Sequence, residues 1–215
     1  MAVIALGACI AANVVAIITD IAALPLLDDV TDIDALNRFD NLTGSVGILE
    51  FLALVAGAVC FIRWFNLIHR GLDKLSPGVR RYDTWWSIGG WFIPIWGLFR
   101  PKQILDDMLA AANGRDTAHP WWAPTWWALW IIGSFGGNVA GRAFFNADTL
   151  DALRGATIAD AVSSAILVAG GAVAIVVVRQ LTEAIQRKER EVQATPAMAP
   201  LGPEPPAQLA GESAW

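Results

Sequence analysis

The sequence predicts an all-α integral membrane protein with four transmembrane helices, a re-entrant or in-plane segment and a short cytoplasmic amphipathic helix. Three observations carry this prediction. The 215 residues are 55% hydrophobic and 16% charged, with a mean hydropathy of +0.48, whereas soluble proteins carry about 25% charged residues. The apolar residues fall in blocks close to the roughly 20 residues that a helix needs to cross the hydrocarbon layer. The connections between blocks alternate between acidic and basic, and basic residues near helix ends mark the cytoplasmic side.

The first helix is expected over about 2–27. Its small residues Ala8, Ala12 and Ala16 recur every four positions, and Asp20 continues that stripe; small residues in such a row let a second helix approach closely. The run lacks a basic start and is long for the apolar part of a signal peptide, so it reads as uncleaved. An acidic loop over 28–44 leads to the second helix, 45–68, with Glu50 near its start. Arg63, Arg70, Lys74, Arg80 and Arg81 follow and place its far end in the cytoplasm.

The segment 85–99 reads WWSIGGWFIPIWGLF, and Arg100-Pro101 closes it. It is apolar, short for a straight crossing and interrupted by Gly89, Gly90, Pro94 and Gly97. Proline lacks a backbone donor and clashes with the preceding turn, so a break is expected at Pro94. The run 101–113 predicts a short amphipathic helix. Ile104, Leu105, Met108, Leu109 and Ala112 share one face, and Lys102, Gln103, Asp106 and Asp107 share the other. It lies either on the membrane surface or against the protein's own cytoplasmic loops.

The third crossing is expected over 121–145. Trp121, Trp122, Trp126, Trp127 and Trp130 crowd its start as interfacial anchors do. Gly133, Gly137 and Gly141 form a helix-packing stripe. The fourth crossing is expected over 158–181, with Ala161, Ala165 and Ala169 as its small stripe and Arg179, Arg187, Lys188 and Arg190 marking the cytoplasm. Residues 1–192 thus form one membrane domain, and the Pro- and Ala-rich residues 193–215 are expected to be a disordered cytoplasmic tail. Both termini are then cytoplasmic, and 85–99 enters and leaves on one face. The rival arrangement makes 85–99 a fifth crossing.

The residues from Arg63 to Met108 resemble the multi-pass membrane protein family, common in actinobacteria, that is catalogued as domain of unknown function 4328. The resemblance rests on Arg63-Trp64, Trp85-Trp86, Trp91-Phe92-Ile93-Pro94, Arg100-Pro101 and Asp106-Asp107. Gly97 and Lys102 stand where that family often has Asn and Tyr. The resemblance implies a protein of the bacterial cell membrane and no assigned activity.

The candidate chemistry is sparse. The net charge is −5 and no basic face suits nucleic acid. Cys9 and Cys60 lie in apolar runs and read as buried thiols. His69 and His119 fall at the cytoplasmic boundary, where solvated roles are expected, and no Cys/His spacing suits zinc. No metal or cofactor is expected, and no nucleophile–base pair is visible. The tryptophans read first as interfacial anchors and second as a stacking surface for a quinone, isoprenoid or other flat ligand. Asp20, Glu50, Arg142 and Asp160, one from each crossing, form a candidate polar cluster toward the outer face. Arg142 is expected to pair with Glu50, with Asp20 as the alternate acceptor. The expected function is a non-catalytic membrane component that binds lipid, a membrane-protein partner or a second copy of itself. The alternative is a small transporter or channel that uses the polar cluster.

Overall fold

The computed structural model describes residues 1–27, 33–114 and 119–194. Seven α-helices form in this order: α1 (Ala2–Ala23), α2 (Ile33–Leu75), α3 (Trp86–Gly89), α4 (Pro94–Gly97), α5 (Arg100–Asn113), α6 (Trp122–Phe145) and α7 (Leu150–Ala194). A 3₁₀ turn, Leu24–Leu27, follows α1.

Among the described residues, three helical stretches are long and apolar enough to cross a membrane: Ala2–Leu26, Asn37–Leu75 and Leu150–Ala194. The remaining expected crossing, the third at 121–145, forms a helix of 24 residues. No stretch of it is as apolar as the cores of the other three, because indole carries a polar N–H, glycine adds no hydrocarbon and Asn138 and Arg142 interrupt the run.

The long helices pack in a row in which α2 flanks α1, α1 meets α7, and α7 meets α6. Neighbours run antiparallel. Cys9 of α1 lies against Gly57 of α2, and Ile10 against Gly171 of α7. Gly133 and Gly136 of α6 meet Leu167 and Ser163 of α7 in reverse order. At each of these points the absent Cβ lets the facing side chain reach the backbone.

Several boundaries differ from the sequence expectation. The second helix starts at Ile33 and runs to Leu75, so most of the expected acidic loop is helical. No proline interrupts it before Pro77, so the helix continues past its apolar part. The last helix starts at Leu150, where the Thr149 hydroxyl accepts the Ala152 N–H, and it continues to Ala194. Gln193 and Ala194 are therefore helical, and the rest of the expected tail lies outside the described residues.

The glycine stripe of α6 is displaced. Gly133 packs as expected, but an added Cβ at Gly137 or Gly141 would meet nothing within 4 Å. The seam instead runs through Gly133, Gly136 and Ala140, a three–four spacing that follows the helix face. In α1, Ala12 and Ala16 are buried while Ala8 is exposed, and in α7 Ala165 and Ala169 are exposed while Ser163, Gly170 and Ala174 are buried.

The short helices gather at the end of the row where α2 and α7 finish. Helix α5 packs on α2 and α7, and Ile104, Leu105 and Met108 are fully enclosed with Phe65, Leu72 and Leu181. This decides between the two placements of the amphipathic helix: its apolar face covers protein. Gly114 takes φ 92° to end the helix and donates to the Ala110 carbonyl. Asp107, expected on the polar face, is buried and paired with Arg81. Between Trp86 and Gly97 the chain makes two single-turn helices, and extended Ile93 (φ −94°, ψ 113°) separates them, so Pro94 begins a new turn. Arg100 holds this broken segment together. Its guanidinium carbon sits 4.0 Å from the Tyr82 ring centroid, 4.6 Å from Trp96 and 4.9 Å from Trp86, a set of cation–π contacts that spans both sides of the break.

Candidate functional site

Because α2 and α6 sit at opposite ends of the row, no extended seam joins them. Between them lies a cavity of about 450 Å³, within the size range of small-molecule sites. Its walls are Leu6, Cys9, Ile10 and Asn13 of α1, Leu54, Gly57, Ala58, Phe61 and Ile62 of α2, Trp126, Trp130 and Ser134 of α6, and Leu167, Gly170, Gly171 and Ala174 of α7. Trp91 and Phe92, from the broken segment, complete it.

The walls have two distinct ends. From Leu6 to Asn13 and from Trp126 to Ser134 the cavity extends about 11 Å along the bundle, at roughly 1.5 Å per residue. One end is aromatic. Trp91 is the hub there, with its ring centroid 5.7 Å from Phe65, 5.8 Å from Phe61 and 5.6 Å from Trp130. The planes stand near 80–90° to one another, the edge-to-face arrangement that aromatic quadrupoles favour. The Trp91 indole N–H donates to the Ser87 carbonyl at 3.1 Å, which fixes the ring. The other end holds Asn13 and Ser134, near the middles of α1 and α6. Asn13 Nδ2 donates to the Cys9 carbonyl at 2.9 Å, and the Cys9 thiol donates to the Ala53 carbonyl at 2.9 Å.

The expected tryptophan anchors thus divide. Trp121 is exposed, whereas Trp122 and Trp126 are buried and Trp127 and Trp130 are half-buried in the aromatic cluster. In the central motif, Trp85 and Phe92 are exposed, Trp86 and Trp91 half-buried, and Pro101 buried.

The candidate polar cluster is brought together only in part. Asp20, Glu50 and Asp160 lie close enough for their carboxylates to interact electrostatically, and one oxygen of Asp20 is buried without a hydrogen-bond partner among the described residues. Arg142 is exposed on α6, at the opposite end of the row from α2. Among the described residues no ion pair joins it to Glu50 or Asp20, so the expected Arg142–Glu50 pair does not form. Helix order is the reason: α2 packs along α1 and α6 along α7, so the two side chains sit on helices that share no extended seam.

His69, expected to be solvated or hydrogen-bonded to a loop, is fully enclosed, and neither ring nitrogen has a partner among the described residues. The spacing Phe65, His69, Leu72 places it on the face that α5 covers. His119 is exposed, and its Nδ1 lies 3.3 Å from Asp106 Oδ1. Both cysteines are free. Among the described residues no group of three or more His, Cys, Asp or Glu side chains could hold a metal ion.

With this architecture in view, the comparison with known families is decisive. The family described as domain of unknown function DUF4328 matches residues 27–183. The chain belongs to the DUF4328 family. The match takes in α2 to α6 and most of α7, so every cavity wall of this DUF4328 protein except α1 falls within the family region. No curated protein and no solved structure matches the chain.

Asn13 is the wall residue that the sequence reading missed. The signal was present: Asn13 is a polar amide in the middle of an otherwise apolar helix, where a polar group costs free energy unless it finds a partner.

Proposed function

We propose that this DUF4328 protein is a four-crossing component of the cell membrane with both termini in the cytoplasm. It acts without catalysis by holding a lipid-like molecule drawn sideways from the bilayer. The cavity between α2 and α6 carries the reading. A cavity walled by apolar side chains at hydrocarbon depth has hydrocarbon as its solvent, and filling it restores dispersion contacts that an empty space forfeits. Of its lining residues, Leu54 and Phe92 are exposed, as lipid-facing side chains are.

Packing supports four crossings. Helix α6 runs antiparallel along α7 and has the length to traverse the layer that α7 crosses. Segment 85–99 then lies at the cytoplasmic end, where Arg100 ties its two turns to Tyr82, Trp86 and Trp96. The non-catalytic reading rests on the walls: Cys9 and Ser134 have no histidine or carboxylate beside them in the cavity. The second reading, a small transporter or channel, draws on the meeting of Asp20, Glu50 and Asp160.

Ala58 is exposed at the mouth of the cavity. Ala58→Trp should block entry while leaving the buried seams intact. Native mass spectrometry of protein extracted from its membranes should show a bound lipid-like species, reduced at least about tenfold in the variant at unchanged thermal stability. Equal occupancy in both proteins would refute the assignment.

A further inference from the structure

The two ends of the cavity differ in chemistry, and the difference selects a class of ligand. Nothing charged lines the walls. The hydrogen-bonding side chains at the far end are Asn13 and Ser134, which face the same cavity from α1 and α6. The amide of Asn13 uses one N–H within its own helix. An amide offers two N–H donors and a carbonyl with two lone pairs, so one donor and the whole acceptor remain for a guest. Ser163 and Thr157 return their hydroxyls to carbonyls four residues back. The Ser134 hydroxyl makes no such bond among the described residues, and only its backbone carbonyl is used, by Asn138.

Asn13 falls near the centre of Ala2–Ala23, and Ser134 near the centre of Trp122–Phe145. In a crossing bundle both lie near the membrane midplane. A phosphate or carboxylate carried to that depth would lack a counter-charge, and a buried charge without one is strongly disfavoured. An oxygen-bearing neutral head faces no such cost, because the free amide and hydroxyl satisfy it. The aromatic wall of Phe61, Trp91 and Trp130 then flanks the adjoining unsaturated or ring portion, and the gap between α2 and α6 lets a tail remain in the bilayer.

We infer that the cavity binds a neutral lipid with a hydroxyl or carbonyl head, of the long-chain alcohol or quinone class, with that head held at mid-membrane by Asn13 and Ser134. This rests on the lipid-holding reading above and adds the identity of the head group.

Three probes with one hydrocarbon chain separate the possibilities: farnesene, farnesol and farnesyl phosphate. Each is added at equal mole fraction to the full-length protein in nanodiscs, and binding is read from tryptophan emission. Farnesol should bind about tenfold more tightly than farnesene, the worth of one to two hydrogen bonds, and farnesyl phosphate should bind more weakly than farnesol. The double variant Asn13→Leu/Ser134→Ala should lose the preference for farnesol while still binding farnesene, which shows that it has folded. Equal binding of farnesene and farnesol by the unaltered protein, or tightest binding of the phosphate, overturns the head-group assignment and leaves lipid holding intact. Binding of no probe, or binding that Ala58→Trp does not reduce, overturns both.

Discussion

Arg81 and Asp107 share one carboxylate through two hydrogen bonds. The Arg81 backbone N–H donates to Oδ2 at 3.2 Å, and its Nε donates to Oδ1 at 2.6 Å. Arg81 Nη2 also donates to the Gln103 carbonyl at 2.9 Å. The loop after α2 is thereby fastened to α5, which supports the broken segment that closes the aromatic end of the cavity.

The pair predicts a pH dependence. Burial pushes the Asp107 carboxyl above its ordinary value, while the hydrogen bonds and charge of Arg81 pull it down, and burial prevails. A carboxyl raised in the folded state holds its proton more tightly there than in the unfolded chain. Its contribution is therefore greatest below the ordinary carboxylate value and declines as pH rises to the raised one. Arg81→Ala removes the opposing pull, so the decline should extend to higher pH. Arg81 is half in water, which screens the pair, and the loss at neutral pH should be about 1–3 kcal/mol. Asp107→Asn should flatten the profile. Thermal unfolding from pH 4 to 8 measures this, and parallel profiles for Arg81→Ala and the unaltered protein would contradict it.

Asp20, Glu50 and Asp160 lie close together, and among the described residues no ion pair joins a cation to them. Replacing one should relieve the others, so Asp160→Asn should raise the unfolding temperature in detergent at neutral pH. Arg142→Leu should leave that gain unchanged, because Arg142 stands apart. A lower unfolding temperature for Asp160→Asn would mean that the trio is held together by a bound cation or proton, which favours the transport reading.

The crossing count is checked by labelling. In a protein lacking Cys9 and Cys60, single cysteines at Asn37 and Thr149 should react with an impermeant thiol reagent in intact cells. Cysteines at Gly78 and Gly114 should react only after the cells are opened. Reaction of Gly114→Cys from outside would make segment 85–99 a full crossing and remove it from the floor of the cavity.

What the sequence disclosed follows a physical divide. Features written within one helix were readable: the apolar length of α1, the 104/105/108 face of α5, the break at Pro94 and the glycine ending α5. Features that depend on which helix stands beside which were not. Arg142 and Glu50 looked like partners because their depths match, but depth does not give order around the bundle. Asp107 looked solvent-facing because its partner is 26 positions away. Gly137 and Gly141 continue a four-residue spacing, whereas the real seam turns with the helix through Gly136 and Ala140. The cavity itself arises because α2 and α6 meet at Phe61 and Trp126 and form no extended seam, which no local pattern encodes.

Cryo-electron microscopy of the protein in lipid nanodiscs, with an antibody fragment as fiducial, tests the central claim most directly. The account predicts elongated non-protein density that starts beside Asn13 and Ser134, passes Trp91 and Trp130 and leaves between α2 and α6 into the bilayer. A closed seam with α2 packed against α6, and no density between them, would contradict it.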